Sequence, residues 1–253
     1  MHANIRAQVA ARLTDVGKIG HFVADVLRSL RDMRVWTGLT VVQMRRVGVN
    51  SLPIALFIAA FTGVVLALQA SYTFTGAVPL YFVGTLVGKT MMLELGPVLT
   101  GLALAGRVGA NIAAEIGTMR VTEQVDALET LAYDPHSYLV VPRVLASAMM
   151  FPIVVALSVA LGVVTGWLTS INLLDLSTFE FFKGLKLFYQ FKDIWYGLVK
   201  SVSFGAVIAL IGCRQGLSVR GGAEGVGRAT TQAVVYSAAM ILVLDAVWAV
   251  LLL

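Results

Sequence analysis

Apolar residues gather in five runs along the chain. Each is close to the roughly 20 residues that a helix needs to cross about 30 Å of hydrocarbon. The runs cover residues 52–71, 95–114, 144–168, 194–213 and 231–253. The first and third carry no charge, and Pro152 lies inside the third. The second holds Arg107, the fourth Lys200 and the fifth Asp245. Ahead of them, Ile5, Val9, Leu13, Val16, Ile19, Val23, Val26, Leu30 and Met33 recur every three or four positions, with most charges opposite. That spacing predicts an amphipathic helix over residues 1–34, lying in the membrane interface. The aromatic-rich stretch Leu176–Phe191, with mixed charge, predicts a short helix on the outer surface. The expected fold is an all-α integral membrane protein. It has a basic interfacial region at residues 1–50 and a membrane domain of about five transmembrane helices at residues 51–253.

Composition supports this pattern. The chain is 58% hydrophobic and 13% charged, about half the charge of a typical soluble domain. Residues 1–50 hold eight Lys and Arg against three Asp, which accounts for the whole net charge of +5. A basic arm beside a hydrophobic body predicts contact with anionic headgroups on the cytoplasmic side rather than with nucleic acid. With the N-terminus inside, residues 72–90 and 172–193 face outward, and 120–143 and 214–228 face the cytoplasm. Arg214, Arg220 and Arg228 fit that assignment, whereas Lys183, Lys186 and Lys192 run against it. The first apolar run lies behind a long polar arm, so no signal peptide is expected. Cys213 stands alone, which excludes an internal disulfide and a cysteine metal site. No metal or cofactor is expected on this chain.

The second run carries the richest pattern. Ala105, Gly109, Ala113 and Gly117 form a ladder of small residues that lets helix backbones approach closely in lipid. Between them Arg107, Asn111 and Glu115 form a polar row. Such groups at membrane depth face protein or a water-filled cavity. The row either lines a substrate path, or Arg107 and Glu115 pair and lock helices together. Glu94 and Pro97 stand at the expected outer start of this run. There the helix dipole favours the carboxylate and the first turn tolerates proline. A headgroup contact or gating role for Glu94 is the alternative. Gly84–Gly88–Lys89–Thr90 resembles a phosphate-binding loop, but three residues separate its glycines where that loop needs four. ATP is therefore expected on a partner.

Residues 118–138 read as a cytoplasmic loop. Thr122 is placed to cap a short helix that Asp134–Pro135 would end. Val125, Leu128, Leu131 and Ala132 share one face, and Glu123, Asp126 and Glu129 lie largely elsewhere. This is either a docking helix for a soluble motor or a solvated loop.

The stretch Glu94-Leu-Gly-Pro97, Ala105-Gly-Arg-Val-Gly109, Ala114-Glu-Ile-Gly-Thr-Met-Arg-Val-Thr-Glu-Gln-Val-Asp-Ala-Leu128, Asp134-Pro135 and Pro142-Arg143 resembles the MlaE/YrbE permease family. Gly216, Gly225-Val-Gly-Arg228-Ala-Thr-Thr231, Val234-Val235 and Asp245 match the same family's later pattern. The resemblance implies a homodimeric permease of a phospholipid ABC transporter in the bacterial inner membrane. Its partners would be a cytoplasmic ATPase holding ATP and Mg, a periplasmic MCE-domain protein and a STAS-domain subunit. It also implies that Glu123, Val125, Asp126, Leu128, Glu129 and Leu131 form the ATPase coupling helix. Gln69, Tyr72, Phe74, Lys89, Met92, Leu93 and Glu94 would line a lipid cavity at the dimer interface, with Leu66 among its apolar walls. Some members carry a basic residue where this chain has Leu93, and Lys89, one turn earlier, is the candidate replacement. The rival readings are an ion-coupled carrier using Arg107, Glu115, Lys200 and Asp245, and a membrane enzyme that modifies lipids.

Overall fold

The computed structural model describes residues 17–74 and 78–252. Among these residues the regular structure is helical, without strands. Helix α1 covers residues 17–29 and α2 covers Met33–Val47. The expected single helix over 1–34 is therefore corrected. Its first sixteen residues lie outside the described ones, and the rest breaks at residues 30–32. The apolar spacing runs unbroken across the break because Leu30 and Met33 stay in register. Side chains hold the corner instead: Trp36 Nε1 donates to the Leu30 carbonyl at 3.1 Å, and Ser29 Oγ reaches Asp134 at 2.6 Å.

The first span, α3 (Leu52–Thr73), follows α2 through a single 3₁₀ turn at Val49–Ser51. The second is a rod of five pieces: α4 (Phe82–Thr90), a π-helical turn Met91–Leu95, α5 (Gly96–Leu104), a second π turn Ala105–Gly109 and α6 (Ala110–Val121). The span therefore begins thirteen residues earlier than the apolar run suggests. Pro97 does not start a helix. The wider turn before it accommodates the proline, and the Gly96 N–H bonds the Met91 carbonyl five residues back.

After a short loop helix, α7 (Gln124–Thr130), the same device recurs. A π turn at His136–Val140 precedes Pro142 in α8 (Val141–Leu173), the third span. Then follow α9 (Thr178–Leu187), α10 (Phe191–Leu217) and α11 (Gly222–Leu252). Among the described residues, five helical stretches are long and apolar enough to cross a membrane, as expected. The helix expected within Leu176–Phe191 is α9, started by a Ser177/Glu180 capping box.

α8 packs between α3 and α10, and α10 packs against α6 and α11. Phe151, Leu104, Phe204, Ile208 and Ile241 fill the centre. The small-residue ladder is buried, with Gly109 and Ala113 against α10 and Gly117 against Val219 and Val226. A Cβ on Gly212 would stand 3.0 Å from the Gly109 carbonyl, and one on Gly216 3.1 Å from that of Ala113. The phosphate-loop lookalike is helical: Gly84 and Gly88 let α9 cross α4, where a Cβ on either would strike Phe181 or Leu185. The outer faces of α3 and α11 are left bare, with Phe57, Phe61, Val65 and Tyr72 exposed on one and Val235, Val243, Val247 and Val250 on the other.

Candidate functional site

Three helices converge on Lys200. Its side chain, on α10, is completely buried. Nζ donates to Glu94 Oε2 at 2.8 Å, pairs with Asp245 Oδ1 on α11, and stands 4.9 Å from the centre of the Tyr196 ring. It also donates to the Leu93 carbonyl at 3.2 Å. That carbonyl is the acceptor that a residue at position 97 would ordinarily bond, and Pro97 has no N–H to give. Proline, π turn and lysine thus form one arrangement. Trp248 Nε1 adds a hydrogen bond to Ser203 Oγ at 2.9 Å between the same two helices.

Glu94 therefore sits inside a continuous helical rod rather than at a helix start, which removes the capping explanation for it. Its side chain is 45% exposed while its lysine partner is fully enclosed. Spacing along the chain does not join Lys200 and Asp245 to Glu94. What would have brought them to Glu94 is that isolated charges in neighbouring spans must find each other in lipid.

The other expected cavity residues are spread out. Gln69 and Tyr72 lie on the exposed face of α3, Phe74 is half-buried at its end, and Leu66 is buried. Lys89 pairs with Asp193 at 3.7 Å. Met92 lines an apolar groove of about 280 Å³ with Val155, Val159, Val163, Ile194 and Leu198. Within one chain, Glu94 is joined to Lys200 and Asp245, not to Gln69, Tyr72 or Met92.

The polar row also resolves differently from the expected pair. Glu115 does not bond Arg107. Its two oxygens accept from Arg46 at 2.8 Å and from the nearly buried Arg143 at 3.0 Å, which ties α2 and α8 to α6. Arg107 and Asn111 face an open cavity instead. The four charges of the ion-carrier reading therefore fall into separate places, with Lys200 and Asp245 in one cluster, Glu115 in another and Arg107 apart.

At the end of the second span the loop helix α7 projects. Thr122 does not cap it, since its hydroxyl turns back to the Thr118 carbonyl. Glu123 takes the N-cap position with φ 60°, and Ala132 follows the helix with φ 61°. Left-handed backbone costs a non-glycine residue roughly 1–2 kcal/mol. Ala132 completes a Schellman close, with Tyr133 N–H on Leu128 O and its own N–H on Glu129 O. The helix thus ends before Asp134–Pro135. Val125 is buried and Leu128 packs against the core, but Leu131 is 69% exposed and leaves the expected shared face. Glu123 and Glu129 are exposed, and Asp126 pairs with Arg120.

Asp134 ties this loop to the N-terminal helix. Partial burial would raise its carboxyl, but hydrogen bonds from Ser29 and Ser137 and from the His136 and Ser137 N–H groups outweigh that and hold it well below the usual carboxylate range.

Five spans, with charge joined across three helices, define a multi-pass helical membrane protein. The sequence profile of Permease MlaE matches residues 40–251, and the chain belongs to that family. It is 46% identical over 198 residues to a probable ABC transporter permease protein of Synechocystis, covering 78% of this chain and 75% of that one. It is 42% identical over 228 residues to a probable ABC transporter permease protein of Rickettsia prowazekii, covering 90% and 88%. It is 36% identical over 220 residues to the chloroplast protein trigalactosyldiacylglycerol 1 of Arabidopsis thaliana, covering 87% and 63%. The chain is a permease subunit of an ABC transporter, and such a subunit works with an ATPase.

Proposed function

We propose that this permease moves phospholipid between the bacterial inner membrane and a periplasmic MCE-domain protein. It acts as one of two identical copies, with its N-terminus in the cytoplasm and a STAS-domain subunit in the same assembly. The observation that carries the lipid reading is the half-exposed Glu94, held at membrane depth by a fully buried Lys200. A charge presented there meets the headgroup of an amphiphile. The bare apolar face of α3 suits acyl chains, which need no tight site because they exchange one apolar surroundings for another. The plant relative carries the name of a diacylglycerol glycolipid, which favours lipid cargo.

In this mechanism the chain binds no ATP. The partner ATPase holds ATP and Mg and seats on α7. Closure of the ATPase moves α7 and, through the short turn to α6, the second span that carries Glu94. The two copies close and the lipid is expelled. Glu123 and Asp126 supply the polar contacts, the exposed Leu131 supplies an apolar one, and Leu128 and Val125 hold the helix to the bundle.

The test is ATP-dependent transfer of labelled phospholipid in proteoliposomes holding the permease and its ATPase. Charge reversal at Glu123 or Asp126, or Leu128→Pro, should abolish transfer and ATPase co-purification while the spans stay folded. Undiminished transfer in these variants would sink the coupling assignment. Absence of ATP-dependent lipid transfer by the wild type would sink the cargo assignment.

A further inference from the structure

At the α7 end of the bundle a cavity of about 470 Å³ opens between α2 and the second π turn of the second span. Its polar lining is Gln43, Arg46, Asn50, Arg107, Asn111 and Glu115. Glu115 is the one carboxylate in that lining, and both its oxygens are taken by Arg46 and Arg143. Arg107 has no hydrogen-bond or ion-pair partner among the described residues and is exposed toward the cavity. Arg46 and Arg143 thus engage the single carboxylate, and Arg107 stands apart from it, two helical turns further in, with no counter-charge. The free donors are the Arg107 fork, the remaining Arg46 N–H groups and the amides of Asn111, Gln43 and Asn50. Such an array suits the oxygens of a phosphate, which guanidinium forks bind in pairs.

The backbone adds a second, independent observation. Of the three π turns, those at Met91–Leu95 and His136–Val140 each precede a proline, which accounts for them. The turn at Ala105–Gly109 precedes none, and it carries Arg107. π turns of this kind concentrate at functional sites.

Depth and surroundings select the source of the phosphate. Asn50 stands two residues before the first span begins at Leu52, so the cavity mouth lies at headgroup level. Arg107 lies eight residues, about 12 Å of helix, inward from Glu115. The cavity continues into a groove lined by Val41, Val42, Arg45 and Arg46, where both valines are exposed. A free phosphate has no use for that apolar strip, and an acyl chain does.

We propose that this cavity is a binding site for the phosphate of an anionic lipid, at the opposite end of the second span from Glu94 and separate from the transported cargo. The proposal does not rest on the transport reading.

The test uses the full chain purified in detergent and equilibrated with equimolar dioleoylphosphatidylglycerol and dioleoylglycerol, with bound lipid counted by native mass spectrometry. The wild type should retain the phosphatidylglycerol preferentially. Arg107→Gln should weaken that retention about tenfold or more, as expected for loss of a charge-assisted bond. Arg220→Gln removes an exposed cation from the turn between α10 and α11 at the same end and should leave retention unchanged. Millimolar inorganic phosphate should not displace the lipid. Equal effects of the two substitutions would reduce the site to general surface charge and overturn it. Displacement by inorganic phosphate would overturn the lipid source. Wild-type retention by a folded Arg107→Gln chain would overturn the site itself. Folding of each variant is checked by monodisperse gel filtration.

Discussion

Lys200 donates to the Leu93 carbonyl at 3.2 Å, the acceptor that Pro97 leaves without its helical N–H. The same ammonium holds Glu94 and Asp245. Lys200→Met therefore leaves an unsatisfied carbonyl and an enclosed Asp245 carboxylate without its cation. Breaking a buried pair by removing one partner costs about 3–5 kcal/mol. A large fall in thermal stability in nanodiscs is expected. A melting point within a degree of wild type would contradict this role.

Glu94→Gln should behave differently. Lys200 keeps Asp245 and the Leu93 carbonyl, and Glu94 is nearly half exposed, so the expected loss of stability is below about 1 kcal/mol. Lipid transfer should nonetheless fall strongly. Unchanged transfer with unchanged stability would mean that Glu94 is a spectator.

Gly205 tests the close packing of α10 on α8. A Cβ there would stand 2.5 Å from the Ser147 carbonyl and 2.8 Å from Phe151 Cγ. Backbone cannot yield as a flexible side chain does, so Gly205→Ala should cost about 1–3 kcal/mol, as overpacking does. Gly106→Ala in the second span meets nothing within 4 Å and should be close to neutral. Thermal melts of the two variants side by side check both outcomes.

Asp134 sets an acid limit on docking of α1. Its folded pKa lies below the unfolded value near 3.9. Its contribution is thus fully present above pH about 4 and disappears as pH falls through the folded value. Hydrogen exchange of residues 17–29, corrected for the intrinsic rate, should be flat between pH 5 and 8. Asp134→Ala should speed that exchange by roughly tenfold, as loss of several hydrogen bonds implies. A slope within that range would contradict this role for Asp134.

The exposed Leu131 is the sharpest probe of the motor contact. Leu131→Asp changes little buried surface and should leave stability within about 0.5 kcal/mol. It should still weaken co-purification of the ATPase.

The sequence alone was enough for the five spans, the short helix between the third and fourth of them, the loop helix and the family. These follow from the spacing of apolar side chains and from a long central motif, both of which are local along the chain. The tertiary structure decided the partners. Arg107 and Glu115 share a helix face by spacing, yet Glu115 bonds Arg46 and Arg143, one 69 positions before it and the other on the next span. Glu94 looked like a cap because Pro97 looked like a beginning, and a π turn made both interior. The corner at residues 30–32 was hidden because side chains over a hundred positions away fix it. In lipid a rare charge must find an opposite charge or a polar ligand. Spacing along one helix reports which charges exist, and only the packing of five helices reports which of them meet.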